Sequence, residues 1–198
     1  MERRHRGVTL PELVFTLAIA AGLLGWGVPA FRDLRLDASR SREVNQFVQA
    51  VYLARSEAIK RNGVVSLCPS RDGARCAPSG TPWQAGWIVF VNADRDSPAV
   101  RDEDEELLRV YAPWERGAVS ANRPTLSFRS FGQVGTTATF TFCDHRGAGA
   151  ARAVIISQTG RPRAIPASSS CRSMHRGLRA RSTRTAQPFR SDPTDRWA

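Results

Sequence analysis

The side chains of this sequence that could do chemistry are few and unevenly spread. Four cysteines, Cys68, Cys76, Cys143 and Cys171, form an even set without a CxxC pair, and three histidines are too few to complete zinc sites with them. Such a set suits disulfides in a chain that leaves a reducing compartment. Cys68 and Cys76 bracket a short Pro/Gly/Arg-rich loop, and Cys143 closes one strand-like run before Cys171 ends another segment. Of the three pairings that four thiols allow, this layout favours Cys68 with Cys76 and Cys143 with Cys171. Asn92, Asp94, Asp96 and Glu103 fall at the spacing of oxygen ligands in an EF-hand loop. Ser97, however, replaces the glycine of the sharp turn, and strand-like runs flank the segment instead of helices, so a solvated hairpin loop is expected there and no metal site. His5 lies near the amino terminus, while His145 and His175 lie in basic loop or tail sequence. No Ser/His/Asp grouping emerges, and neither catalytic residues, an enzyme activity nor a cofactor is expected.

Two further features demand partners. Residues 13–31 carry no charge over 19 positions, and Glu12 sits at the head of that run. A helix of this length can span a bilayer. Arg3, Arg4 and Arg6 upstream would hold the amino-terminal end on the cytoplasmic side and send the remainder across. A carboxylate beside an apolar span costs several kcal/mol unless paired, so Glu12 is by its position a functional residue. The second feature is arginine. The chain has 29 Lys plus Arg, of which only Lys60 is lysine, against 18 acids, for a net charge of +11. Most of the excess follows residue 142, where Arg146, Arg152, Arg161, Arg163, Arg172 and Arg176 gather and the segment to the end carries net +8. Gly160 and Pro162 restrict a turn from which Arg161 and Arg163 project together. Paired guanidiniums suit phosphates through their planar fork of donors.

The elements that would position these residues are legible as periodicities. Val44, Phe47, Val48, Val51, Ala54, Ala58 and Ile59 recur at steps of three and four, with Arg40, Arg42, Gln49, Arg55 and Lys60 between them. This is an amphipathic helix. It stops at Asn62-Gly63, and with the apolar run before it the helix extends from about residue 8 to 61, on the order of 80 Å. Pro11 is tolerated in the first turn, whereas Pro29, preceded by Gly22, Gly25 and Gly27, is expected to kink or weaken the helix. Thereafter the period is two. Strands are expected over 64–68, 87–91, 107–111, 125–128, 137–142 and 153–157, separated by Gly, Pro, Asn and Asp clusters. The expected class is α+β, a long amino-terminal helix whose apolar face is covered by an antiparallel sheet. The 41% hydrophobic content excludes a wholly disordered chain, although residues 173–198 lack the apolar residues to fold.

Gly7-Val8-Thr9-Leu10-Pro11-Glu12-Leu13 resembles the class III signal of type IV pilins and type II secretion pseudopilins, with Val8 where the family usually has Phe. The resemblance implies that a prepilin peptidase cuts after Gly7, that Val8 becomes an N-methylated terminus, and that Glu12 is the assembly glutamate. Trp83-Gln84-Ala85-Gly86-Trp87-Ile88-Val89-Phe90, Leu107-Leu108-Arg109 and Phe140-Thr141-Phe142-Cys143 resemble the FimT/GspH branch of that superfamily. The implied organisation is a cleaved leader over 1–7, a transmembrane half-helix over 8–31, an amphipathic half over 32–62, a β domain over 63–172 and a basic tail over 173–198. Gly160-Arg161-Pro162-Arg163 resembles the Gly-Arg-x-Arg motif of FimT minor pilins, which bind DNA for uptake in natural transformation. These resemblances together imply a minor pilin of the inner membrane and pilus. Its partners would be other major and minor pilins, and DNA held by its backbone without sequence preference. The alternative is a structural minor pilin or type II secretion pseudopilin that primes assembly without DNA.

Overall fold

The computed structural model describes residues 9–135, 137–167 and 171. Helix α1, Leu10–Arg61, is 52 residues long, about 78 Å at 1.5 Å per residue. Pro11 lies in its first turn, where the backbone has no intrahelical acceptor to lose. The backbone stays helical through residues 22–29, so the glycines and Pro29 do not end the helix. Asn62 ends it in the left-handed region at φ 49°, and the N–H groups of Asn62 and Gly63 donate to Ile59 O and Ala58 O.

The two halves of α1 have different surroundings. In the first, Leu10, Leu13, Phe15, Leu17, Leu23 and Leu24 are exposed. In the second, Val44, Phe47, Val51, Ala54 and Ala58 form one stripe that is buried in the domain. Among the described residues no helix is long and apolar enough to cross a membrane.

The stripe packs on two antiparallel sheets, not on the single sheet expected. The first has the order β3-β2-β1-β5, from Leu107–Tyr111, Trp87–Val91, Val65–Pro69 and Leu126–Phe128. The second has the order β4-β6-β7-β8, from Gly117–Ala121, Ala138–Asp144, Arg152–Ile156 and Pro162–Pro166. Strands β4 and β8 are not among those expected from periodicity. β4 is Gly-Ala-Val-Ser-Ala, poor in strand-forming residues. β8 carries Pro162 and Pro166, which cannot donate to a ladder. Both strands are sheet edges, the position at which such sequences survive as strands.

Phe47 is where helix and sheets meet. Its ring centroid lies 4.3 Å from Phe140, 5.7 Å from Phe142, 5.8 Å from Trp83 and 5.7 Å from Trp87. Cys68 is bonded to Cys76 and Cys143 to Cys171, with Cα separations of 5.5 and 5.9 Å. The second bond ties the chain beyond β8 back to β6. The acidic segment after β2 differs from a plain solvated loop, because Asn92 and Glu105 are buried within it. The Asn92 amide donates to Ser66 Oγ and Asp96 Oδ1, and Glu105 accepts from the N–H groups of Ala93 and Asp102.

A candidate nucleic-acid interface on the second sheet

The hairpin of β7 and β8 carries the Gly-Arg-Pro-Arg sequence. Its turn is closed by Ser157 N–H donating to Arg161 O at 3.1 Å and Gly160 N–H donating to Ser157 O at 2.8 Å. Val134 N–H donates to Gln158 O at 3.0 Å and docks the turn on the loop before β6. Gly160 has φ +74°, and a Cβ there would lie 2.1 Å from Gly132 O. Its glycine is therefore required by backbone conformation and by close packing.

Side chains two residues apart on a strand share a face. Arg163 lies opposite Ile155 in the ladder, and Arg161 precedes it by two at the sheet's edge. Both arginines are exposed, and neither has a carboxylate partner among the described residues. Arg163 belongs to β8 and Arg161 to the turn just before it, so the pair spans the expected turn and the start of an edge strand. Arg152 does not join them: it lies opposite Pro166 and Phe142, three residues from Ile155, and alternation puts it on the other face of the sheet. Arg172 and Arg176, expected to extend the patch, lie outside the described residues.

Arg146 requires a correction. Its half-buried guanidinium is not free for a phosphate but binds carboxylates, with Nη2 2.7 Å from Asp144 Oδ2 and 2.7 Å from Asp37 Oδ1. Arg40, expected on the polar side of the helix, is buried in the same cluster. It reaches Asp37 at 2.6 Å and Asp144 at 3.3 Å, and donates to Ala150 O. This cluster fixes α1 to the loop after β6 where the helix leaves the domain. Its sequence signal was a charge on the apolar stripe, since Arg40 stands one turn before Val44.

The cluster also sets an acid response. Burial pushes the Asp144 carboxyl up, but hydrogen bonds and charge from Arg146, with Arg40, outweigh it and hold the group below its ordinary value. The Arg146 hydrogen bond does the same for Asp37. Depressed carboxylates stabilise the fold above their unfolded value, about 4, and that stability is lost as the pH falls through their folded values. Glu43 acts in the opposite sense: burial raises it, so its contribution is present below its unfolded value and fades as the pH rises. Thermal midpoints of the full chain should therefore fall on acidification below about pH 4, and Glu43→Gln should raise the midpoint at neutral pH but not in acid. Scanning calorimetry across the pH range checks both.

The second sequence-predicted site lies at the other end of the helix. Glu12 is exposed in the first turn of α1, among exposed apolar side chains. Gly7 and Val8 lie outside the described residues.

A helix that projects from an αβ domain by its first half and seats its second half on two antiparallel sheets is the pilin-like arrangement. The crystal structure of the type IV minor pilin FimU from Pseudomonas aeruginosa PAO1 in space group P21 is similar in fold, with a TM-score of 0.50 and 22% identity, over 72% of this chain and 97% of that one. Residues 43–160 match the family described as type II transport protein GspH. The pilin-like protein PilA1 of Thermus thermophilus is 33% identical over 169 residues, which is 80% of this chain and 97% of that protein. The chain belongs to the GspH family. It belongs with the pilins and pseudopilins as a class.

Proposed function

We propose that this protein is a minor type IV pilin that captures extracellular DNA by its phosphate backbone for uptake in natural transformation. The observation that supports this most is the joint exposure of Arg161, in the turn before β8, and Arg163, on β8 itself. Two guanidiniums without carboxylate partners among the described residues can each bind a phosphate through two N–H groups, whereas Arg146 is already neutralised. Backbone contacts imply affinity that falls with salt and little sequence preference. The test is a gel shift of duplex DNA by the detergent-solubilised full chain at physiological salt. No retardation would return the chain to the structural reading, a filament subunit or type II secretion pseudopilin that primes assembly. The match to the GspH family favours that second reading, as does the Gly160 packing, which explains the motif's glycine without DNA.

Under either reading we assign residues 1–7 to a leader removed by a prepilin peptidase and Val8 to an N-methylated terminus. On the strength of the uncharged sequence run over 13–31, and not of a span among the described residues, residues 8–31 are assigned to the inner-membrane anchor, with the β domain in the periplasm until assembly. Exposed apolar side chains along the first half of α1 support an anchor that exchanges lipid for neighbouring helices in the filament. Glu12 then neutralises the terminal amine of an adjacent subunit. Glu12→Ala should reach the membrane in normal amounts yet be absent from sheared filaments. Immunoblots of both fractions check this, and equal incorporation of variant and wild type counts against the pairing.

A further inference from the structure

The two edges of the second sheet are not alike. β8 and the turn before it bear the arginine pair, and β4, at the opposite edge, opens on a groove of about 1120 Å³. Asn122 N–H donates inward to Thr139 O at 3.2 Å, while Val119 N–H turns away from β6 to Gln84 Oε1 at 2.9 Å. Antiparallel alternation therefore directs the main-chain groups of Val119 and Ala121 outward. Gln84 takes one of these groups and the Trp83 indole takes Arg123 O at 3.1 Å. Between them Val119 C=O and both groups of Ala121 face the groove. Such an edge is a template for another strand. Arg32 and Arg35 from α1 and Arg116 and Arg123 beside β4 line it, against Glu115 as the acid among the lining residues.

We infer that the β4 edge is a docking site for an extended acidic segment of a neighbouring subunit, which adds a strand to the second sheet and is held by Arg32, Arg35, Arg116 and Arg123. Strand addition draws affinity from main-chain pairing and selectivity from the side chains around the edge. The edge presents both a donor and acceptors, which a peptide satisfies and a phosphate backbone, having acceptors only, does not. The chain also carries the complementary charge at its other pole. Arg61, at the carboxyl end of α1, pairs with Glu106 of the acidic loop, about 39 Å along the helix from Arg35. Subunits stacked along a filament would thus bring an acidic loop of this type towards a basic groove. This docking is independent of DNA capture, which uses the opposite edge.

The test uses the full chain in detergent and two fluorescein-labelled octapeptides, one alternating Glu and Thr, the other Lys and Thr, followed by anisotropy. The acidic peptide should bind saturably and the basic one should not. Ala121→Pro deletes a donor that the sheet does not use, at an edge where proline is tolerated, and should weaken binding about fivefold. Arg32→Glu with Arg35→Glu, both exposed helix positions, should weaken it about tenfold, and decides the matter should Ala121→Pro fail to fold. Equal binding of both peptides, binding of neither, or wild-type affinity in both variants would overturn the inference. So would displacement of the peptide by duplex DNA in a chain carrying Arg161→Gln and Arg163→Gln, which would make the groove a nucleic-acid site. A negative gel shift with intact peptide binding would remove only the DNA reading.

Discussion

Replacing Asp144 with alanine should cost the fold about 3 kcal/mol or more, the loss typical of breaking a buried ion pair from one side. The Asp144 side chain is 1% exposed and accepts from both Arg40 and Arg146. Without it Arg40, itself 7% exposed at the side chain, keeps only the half-exposed Asp37 and Ala150 O as acceptors. The expected result is a large drop in the urea midpoint of the full chain, read by fluorescence of the buried Trp83, Trp87 and Trp114. Removing both charges by Arg40→Met and Asp144→Leu should recover much of the loss, because the penalty lies in the orphaned charge. Glu103→Ala is the contrast. Its pair with Arg75 joins side chains 85% and 68% exposed, and exposed pairs contribute about 0 to 1 kcal/mol. An Asp144→Ala midpoint within error of Glu103→Ala would show that the cluster does not hold α1 to the domain.

The second large effect concerns DNA. Arg161→Gln with Arg163→Gln should weaken binding to every duplex tested, and the slope of log K against log salt should shrink by roughly 0.9 per lost phosphate contact. Stability should hardly change, since both side chains are exposed at a sheet edge. Arg152→Gln, on the other face of that sheet, should have the smaller effect. If truncation after Arg172 abolishes binding while the Gln pair retains it, the site lies in the basic tail and the edge of β8 is only a decorated strand.

The parts of this molecule that were legible in the sequence follow rules of local periodicity. The stripe from Val44 to Ala58 has the helical step, so the buried face of α1 and its end at Asn62 could be read before any packing was known. Six strand-like runs, rich in β-branched and aromatic residues, are strands. The pairing of Cys68 with Cys76 followed from a short loop between them, and the charge asymmetry towards the carboxyl terminus was a matter of counting.

What escaped depends on neighbours distant in the chain. β4 and β8 are strands because β6 and β7 offer them a ladder, not because of their own composition, and as edges they escape the demands that a central strand makes on its residues. The fate of each arginine is of the same kind. Arg146, Arg152, Arg161 and Arg163 are chemically identical in the sequence, yet Arg146 meets Asp37 and Asp144, Arg152 lies on one face of the second sheet, Arg163 lies on the opposite face, and Arg161 stands in the turn before it. A guanidinium's availability is set by the carboxylates within reach and by the parity of its strand position, and the first of these requires bringing α1, 109 residues away from Arg146 at Asp37, against the loop after β6.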